Sequence, residues 1–124
     1  MSRDDNVAAT KEGYAAFAAA DLEGALRAFD DGVEWIQPGN SAVSGTYHGK
    51  GEVAEFLGKL AGRAFGATPN RFVGDGDVVV ALTEVTVDGE TTAGADVFTF
   101  RDGKIVKAET FGDTALMERV FGVK

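Results

Sequence analysis

Cysteine is absent from the 124-residue chain, which excludes a disulfide framework, a thiolate zinc site and a cysteine nucleophile. Histidine occurs once, at His48, so a multi-histidine metal centre is excluded and metal catalysis is not expected. Long apolar runs are missing too. The run Val78-Val79-Val80-Ala81-Leu82 is far short of the ~20 residues a membrane-spanning helix needs. The first residues, Met-Ser-Arg-Asp-Asp-Asn, carry no apolar signal core, and the cytoplasm is the expected compartment. Clustered Lys and Arg are also lacking. The formal net charge of -8 argues against nucleic acid and anionic membrane surfaces as partners, because both need cationic side chains to neutralise phosphates. Its expected consequence is solubility. No glycine-rich phosphate loop follows a strand: Gly74-Asp75-Gly76-Asp77 opens no helix, and its carboxylates would repel phosphate. The G-x-S-x-G elbow is absent, and although Ser41 and Ser44 lie near His48, nothing places an Asp behind that histidine to complete a triad. No cofactor is expected.

What is present is an ordinary globular composition, 44% hydrophobic and 26% charged, in a length that suits one domain over residues 1–124. Ala-rich Asp5 to Ala20 carries Val7, Thr10, Tyr14, Phe17 and Ala18 at helical spacing and predicts a first helix. Asp21 caps a short second helix from Leu22 to Phe29. Val33-Glu34-Trp35-Ile36-Gln37 has strand composition and stops at Pro38-Gly39, so Trp35 and Gln37 share a strand face. Residues Pro38 to Gly51 then read as a glycine-rich loop, followed by an amphipathic helix near Lys50 to Gly62 with Val53, Phe56, Leu57 and Leu60 as its buried stripe. From Arg63 the period becomes two. Strands are predicted at Phe72-Val73, Val78 to Val87, Thr92 to Phe100 and Lys104 to Phe111. Asp88-Gly89 and Asp102-Gly103 mark hairpins, because their geometry needs positive φ. Asp113 to Phe121 is left as a final short helix or an edge segment. Helices first and a meander of strands afterwards give an α+β fold, three N-terminal helices on a curved antiparallel sheet that encloses a pocket.

Four stretches, in order along the chain, carry a resemblance to a known family. They are Tyr14-Ala15-Ala16-Phe17-Ala18-Ala19-Ala20-Asp21-Leu22; Val33-Glu34-Trp35; Gly45-Thr46-Tyr47-His48-Gly49-Lys50-Gly51-Glu52; and Asp96-Val97-Phe98-Thr99-Phe100-Arg101-Asp102-Gly103-Lys104-Ile105-Val106. Together they resemble the SnoaL-like and ketosteroid-isomerase-like families of the nuclear-transport-factor-2-like (NTF2-like) superfamily. The resemblance implies a cone-shaped fold with a deep pocket and a homodimer packed through the outer face of the sheet. It does not fix a function, since the same fold hosts isomerases, cyclases, epoxide hydrolases, dehydratases and proteins without chemistry.

Among candidate residues, Asp96 is the sharpest. Strand alternation puts it on one face with Gly94 and Phe98. If unpaired in an apolar cavity it would have to stay neutral at pH 7, which costs roughly 4 kcal/mol. The alternative is an Asp at the sheet edge, salt-bridged to Arg71 or Arg101. The resemblance assigns Asp96 to the isomerases' oxyanion-binding aspartic acid. It also puts the isomerases' general base at Gln37, and an amide cannot shuttle a proton near neutrality. The family's oxyanion tyrosine falls on Gly13, leaving Tyr14 turned about 100° around the helix, so the isomerase route is not expected. The Arg that an epoxide-hydrolase resemblance would require is replaced by Gly94. His48 is a second candidate acid or base, or an exposed loop residue. Trp35 and Gln37, with Tyr14, Phe17, Phe56 and Phe98, are candidate ligand-binding residues or core aromatics. On the last strand Val106, Ala108 and Thr110 are expected to face inward as passive walls. Two functions follow. One is a pocket that binds or converts a hydrophobic ligand bearing carbonyl or hydroxyl groups, by isomerase-, cyclase- or lyase-like chemistry with Asp96 as acid or hydrogen-bond donor. The other is a non-catalytic binding or dimerisation module.

Overall fold

In the computed structural model, which describes residues 2–124, the chain forms α1 (Arg3–Ala18), α2 (Leu22–Leu26), β1 (Phe29–Gln37), β2 (Gly45–His48), α3 (Gly49–Ala61), β3 (Gly66–Asp75), β4 (Val78–Val87), β5 (Glu90–Arg101), β6 (Lys104–Phe111) and α4 (Thr114–Phe121). A capping box starts α1: the Asp5 amide donates to Ser2 Oγ at 3.1 Å and the Ser2 amide donates back to Asp5 Oδ2 at 3.3 Å. Asp21 accepts from the Gly24 amide at 2.9 Å and begins α2. The helix periodicity was legible, but α1 lies two residues earlier than Asp5 to Ala20, because the cap at Ser2 outranks the apolar stripe in fixing its start.

All six strands belong to one open sheet in the order β2-β1-β6-β5-β4-β3. Every pairing is antiparallel except that of β1 with β6, which is parallel. Both predicted hairpins form. Asp88 and Gly89 have φ of 47° and 84°, and Asp102 and Gly103 have 52° and 79°, the two consecutive positive values that a tight turn between right-twisted strands needs. Two strand predictions were incomplete. Four residues of the expected loop after Pro38 pair as β2 with the end of β1, and Phe72-Val73 is the middle of a ten-residue edge strand, β3. Pro69 sits where the β3–β4 register shifts, which is where a ladder tolerates a missing donor.

The helices cover the concave face, with α1 against β3 and β4 and α3 against β1 and β2. On that face Trp35 of β1 stands beside Ala108 of β6, which faces Phe98 of β5, which faces Val79 of β4. The Trp35 ring centre lies 5.5 Å from that of Phe56 and 6.3 Å from that of Phe98. Val33, Val53, Phe56 and Val79 are fully buried; each such side chain contributes roughly 1.5–3 kcal/mol relative to exposure. A register shift between Thr99 and Phe100 corrects one expectation. It turns Ile105 inward, buried, and leaves Val106 half-buried, so the inward set on β6 is Ile105, Ala108 and Thr110.

Candidate functional site

One strand row beyond that aromatic layer, the concave face becomes polar. Asp96 of β5 pairs with Thr110 of β6 on one side and with Ala81 of β4 on the other. The parallel register of β1 against β6, Trp35 beside Ala108 and Ile36 beside Glu109, brings Gln37 next to Thr110. Gln37, Thr110 and Asp96 thus form a short polar row across three adjacent strands. Above it, between the sheet and helices α1, α2, α3 and α4, lies a cavity of about 120 Å³. Its walls are mainly apolar: Phe17, Phe29, Leu57, Leu60, Phe98 and Met117 among them.

Asp96 is the ionisable group of this polar row and lines the cavity. Its Oδ2 accepts a hydrogen bond from the Tyr14 hydroxyl, and its Oδ1 accepts one from Thr110 Oγ1 at 2.8 Å. The carboxyl is half-buried by exposed area only because one side of it forms cavity wall; protein surrounds it. Burial lifts its pKa above the ordinary carboxylate value, and the two hydroxyls, which favour the ionised form, pull it part of the way back. Tyr14 is driven further from ionisation, by burial first and then by the Asp96 charge and hydrogen bond. The tyrosine therefore keeps its proton and donates it. The alternative, a salt bridge from Asp96 to Arg71 or Arg101, does not form: both partners are hydroxyls.

Tyr14, a candidate ligand-binding residue turned about 100° from the isomerases' tyrosine position, still reaches Asp96 with its hydroxyl. Its ring packs edge-on against Phe72 and Phe98, both at 6.0 Å, and that wedge aims the hydroxyl down at β5. Gln37 and Trp35 are buried neighbours whose side chains meet, the indole Nε1–H donating to Gln37 Oε1 at 3.3 Å. An indole nitrogen only donates. The amide oxygen is therefore turned toward Trp35, and the two N–H donors of Gln37 are left to face the cavity that both residues line.

Phe17 and Phe98 also line the cavity, as predicted, but Phe56 and His48 do not. Phe56 is fully buried between Trp35 and Tyr47, whose ring centre is 4.6 Å away, because its position on α3 faces β1 and β2. His48 ends β2 and caps α3 through its backbone. Its side chain is 68% exposed, and Nδ1 lies 3.9 Å from Glu34 Oε2, on the opposite face of β1 from Trp35. It is a surface residue. Thr110, read from sequence as passive wall, is instead a direct partner of Asp96. Helix α4 supplies a further wall, with Thr114, Leu116 and Met117. Thr110 was findable from the hairpin register; the α4 wall rests on a tertiary packing that no local pattern encodes. Among the described residues no group of three or more His, Asp or Glu side chains is placed to hold a metal, and no helix is long and apolar enough to cross a membrane.

A profile of the SnoaL-like domain matches residues 10–108, a span that contains Tyr14, Gln37 and Asp96. No curated protein matches the chain significantly. Among solved structures, an NTF2-like protein of unknown function from Burkholderia pseudomallei K96243 is 31% identical, with a TM-score of 0.84 over 94% of this chain and 97% of its own. TerC, co-crystallised with polyporic acid, is 28% identical, with a TM-score of 0.85 over 94% and 98%. Bal32a, from a soil-derived mobile gene cassette, superposes with a TM-score of 0.90 over 96% and 98%. Its identity is 22%, and it attests the fold alone.

Proposed function

This chain belongs to the SnoaL-like domain family, and from that premise we propose that it is a pocket protein that binds or converts a hydrophobic small molecule bearing carbonyl or hydroxyl groups, with Asp96 as the acid or hydrogen-bond donor. The observation that carries this reading is the choice of partners for a buried carboxyl. A structural aspartate in an apolar interior is cheapest when paired with Arg or Lys, whereas Asp96 is held by Tyr14 and Thr110, which position it without neutralising it. A carboxyl raised above its usual pKa and open to a cavity on one side can hold a proton and present it to a ligand oxygen. Gln37 and Trp35 orient the ligand from the neighbouring strand. With an amide where the isomerases' base would stand, the site lacks a proton acceptor on that strand, and acid assistance of a cyclase- or lyase-like step is the chemistry that fits. The co-crystallisation of TerC with polyporic acid supports the small-molecule reading by similarity.

The discriminating experiment is a carboxyl-carbon NMR titration of Asp96, assigned by comparison with Asp96→Asn. A midpoint clearly above the ordinary carboxylate range is expected for a desolvated carboxyl facing a cavity. A midpoint at or below about 4 would mean a carboxylate kept ionised for structural reasons, and the acid role would be abandoned. The non-catalytic reading draws on a different observation, the exposed apolar side chains Val73, Leu82 and Phe111 on the convex face of the sheet, which suit a homodimer contact.

A further inference from the structure

The shape and polarity of the cavity restrict the ligand further than its hydrophobicity does. A volume of about 120 Å³ falls below the ~300 Å³ at which drug-sized ligand pockets begin. It is close to the ~150 Å³ engineered void that takes up one benzene. A single six-membered ring fits inside; a fused second ring has to project through the open side of the cavity or move its walls. Those walls are held on several sides by packed side chains, Phe98 against Trp35 and Tyr14 and Phe17 against Phe65 at 6.4 Å.

The polar groups are distributed in a way that one oxygen on the ligand does not exhaust. Asp96 and Gln37 stand on strands separated only by β6, with Thr110 between them, so their backbones are ~10 Å apart at the usual strand spacing. Their side chains rise from the two ends of that span into the same cavity. The Asp96 end can donate or accept, according to its protonation. The Gln37 end presents its N–H donors to the cavity, because its oxygen is turned toward the Trp35 indole. A buried donor pair that a ligand leaves unmatched costs affinity, which makes Gln37 a selector.

Accepting the cavity around Asp96 as a ligand pocket, we infer that it is built for a monocyclic, six-membered-ring compound with oxygen functions at opposite ends of the ring, one bonded at Asp96 and the other accepting from the Gln37 amide. Gln37 is then a specificity-determining residue, and its amide is a recognition group in its own right.

The test is an NMR chemical-shift titration of the intact chain with three probes: cyclohexane-1,4-dione, cyclohexanone and the two-ring decahydronaphthalene-1,5-dione. The monocyclic dione should bind about fivefold more tightly than cyclohexanone, the size of one neutral hydrogen bond, and the two-ring dione should bind most weakly. Gln37→Glu keeps an oxygen for the Trp35 indole and removes the donors; Gln37→Met removes both. Either variant, folded by its amide spectrum, should lower the dione affinity about fivefold and erase its preference over cyclohexanone. Equal or tighter binding of the two-ring dione, or a dione preference that survives both Gln37 variants, would overturn this inference while leaving the pocket intact. If no probe binds in a way that Asp96→Asn weakens, the ligand-pocket reading falls with it.

Discussion

Asp96 has two hydroxyl partners, Tyr14 and Thr110, and its value to the fold depends on pH in a direction that can be worked out. Its native pKa is raised by burial. Between the unfolded value, about 3.9, and the native one, the unfolded chain has released a proton that the native protein retains. The native state then binds more protons, so the Asp96 contribution to stability is complete below about pH 4 and is lost as pH rises toward the native pKa. Tyr14→Phe and Thr110→Val each remove a bond that favours the charged form, raising that pKa further and widening the window. Each should cost about 1 kcal/mol as a lost hydrogen bond, and more at pH 8 than at pH 4. Asp96→Asn should show the opposite trend, gaining on the wild type as pH rises. Thermal unfolding midpoints of the four proteins between pH 4 and 8 check this, and parallel curves for wild type and Asp96→Asn would refute it. At this scale the sequence was partly legible. Asp96, Gln37 and Trp35 were found because strand alternation alone fixes their face, whereas the partners of Asp96 come from a helix 82 positions earlier and a hairpin 14 positions later. Tyr14 was read as a polar contact of the pocket, but counting turns around a helix could not supply its target, which the phenol ring wedged between Phe72 and Phe98 fixes at Asp96.

Among the elements, the hairpins and the helices α1, α2 and α3 were legible because their signals are local: Asp-Gly turns, capping residues and an apolar stripe. What closes the pocket was not. Helix α4 is short and is fixed from both ends. At its start the Leu116 amide donates to Asp113 Oδ1 at 2.9 Å. Beyond its end the Lys124 amide donates to the Asn40 carbonyl at 2.8 Å, and the Ala42 amide donates to the Gly122 carbonyl at 2.8 Å. Between these, Leu116 and Met117 are buried against the cavity. Gly39, at φ 90°, lets the loop after β1 pass close to Thr114, whose Cβ would lie 2.9 Å from any side-chain carbon at that position. Asp113→Ala should therefore cost about 1 kcal/mol through the lost cap, while Asp113→Asn, an equally good cap, should be nearly neutral. Chemical denaturation measures both. The cavity should respond as well: amide hydrogen exchange across α4 should quicken in Asp113→Ala alone. A destabilised Asp113→Asn would instead point to a role for the carboxylate charge.

For the whole molecule, the two faces of the sheet divide the work. The concave face takes the helices and leaves a cavity; the convex face carries a band in which Arg71, Leu82, Ala95 and Phe111 lie side by side across β3, β4, β5 and β6, with Val73, Val80, Val97 and Glu109 in the adjoining row. Leu82 and Phe111 are 41% and 53% exposed and Val73 is 46% exposed. A contiguous apolar patch of this kind on one face of a sheet is a common mark of association, and a second copy of the chain meets it most simply, because a two-fold axis through the band sets each apolar row against its own equivalent. The net charge of -8 opposes that association at long range, and salt screens the repulsion. A homodimer through this face should therefore tighten as ionic strength rises, and Leu82→Glu, which adds two unpaired charges at the centre of the contact, should yield monomer with the Asp96 cavity undisturbed. Sedimentation velocity at low and high salt, with the Asp96 carboxyl resonance as a control for the pocket, tests both statements. A wild type that sediments as a monomer at every salt concentration would instead free the convex face for a different partner. Fold class was readable from the order of helices and strands, yet the partner of this face was not, since a half-exposed valine on a strand looks the same in sequence whether it meets water or another copy.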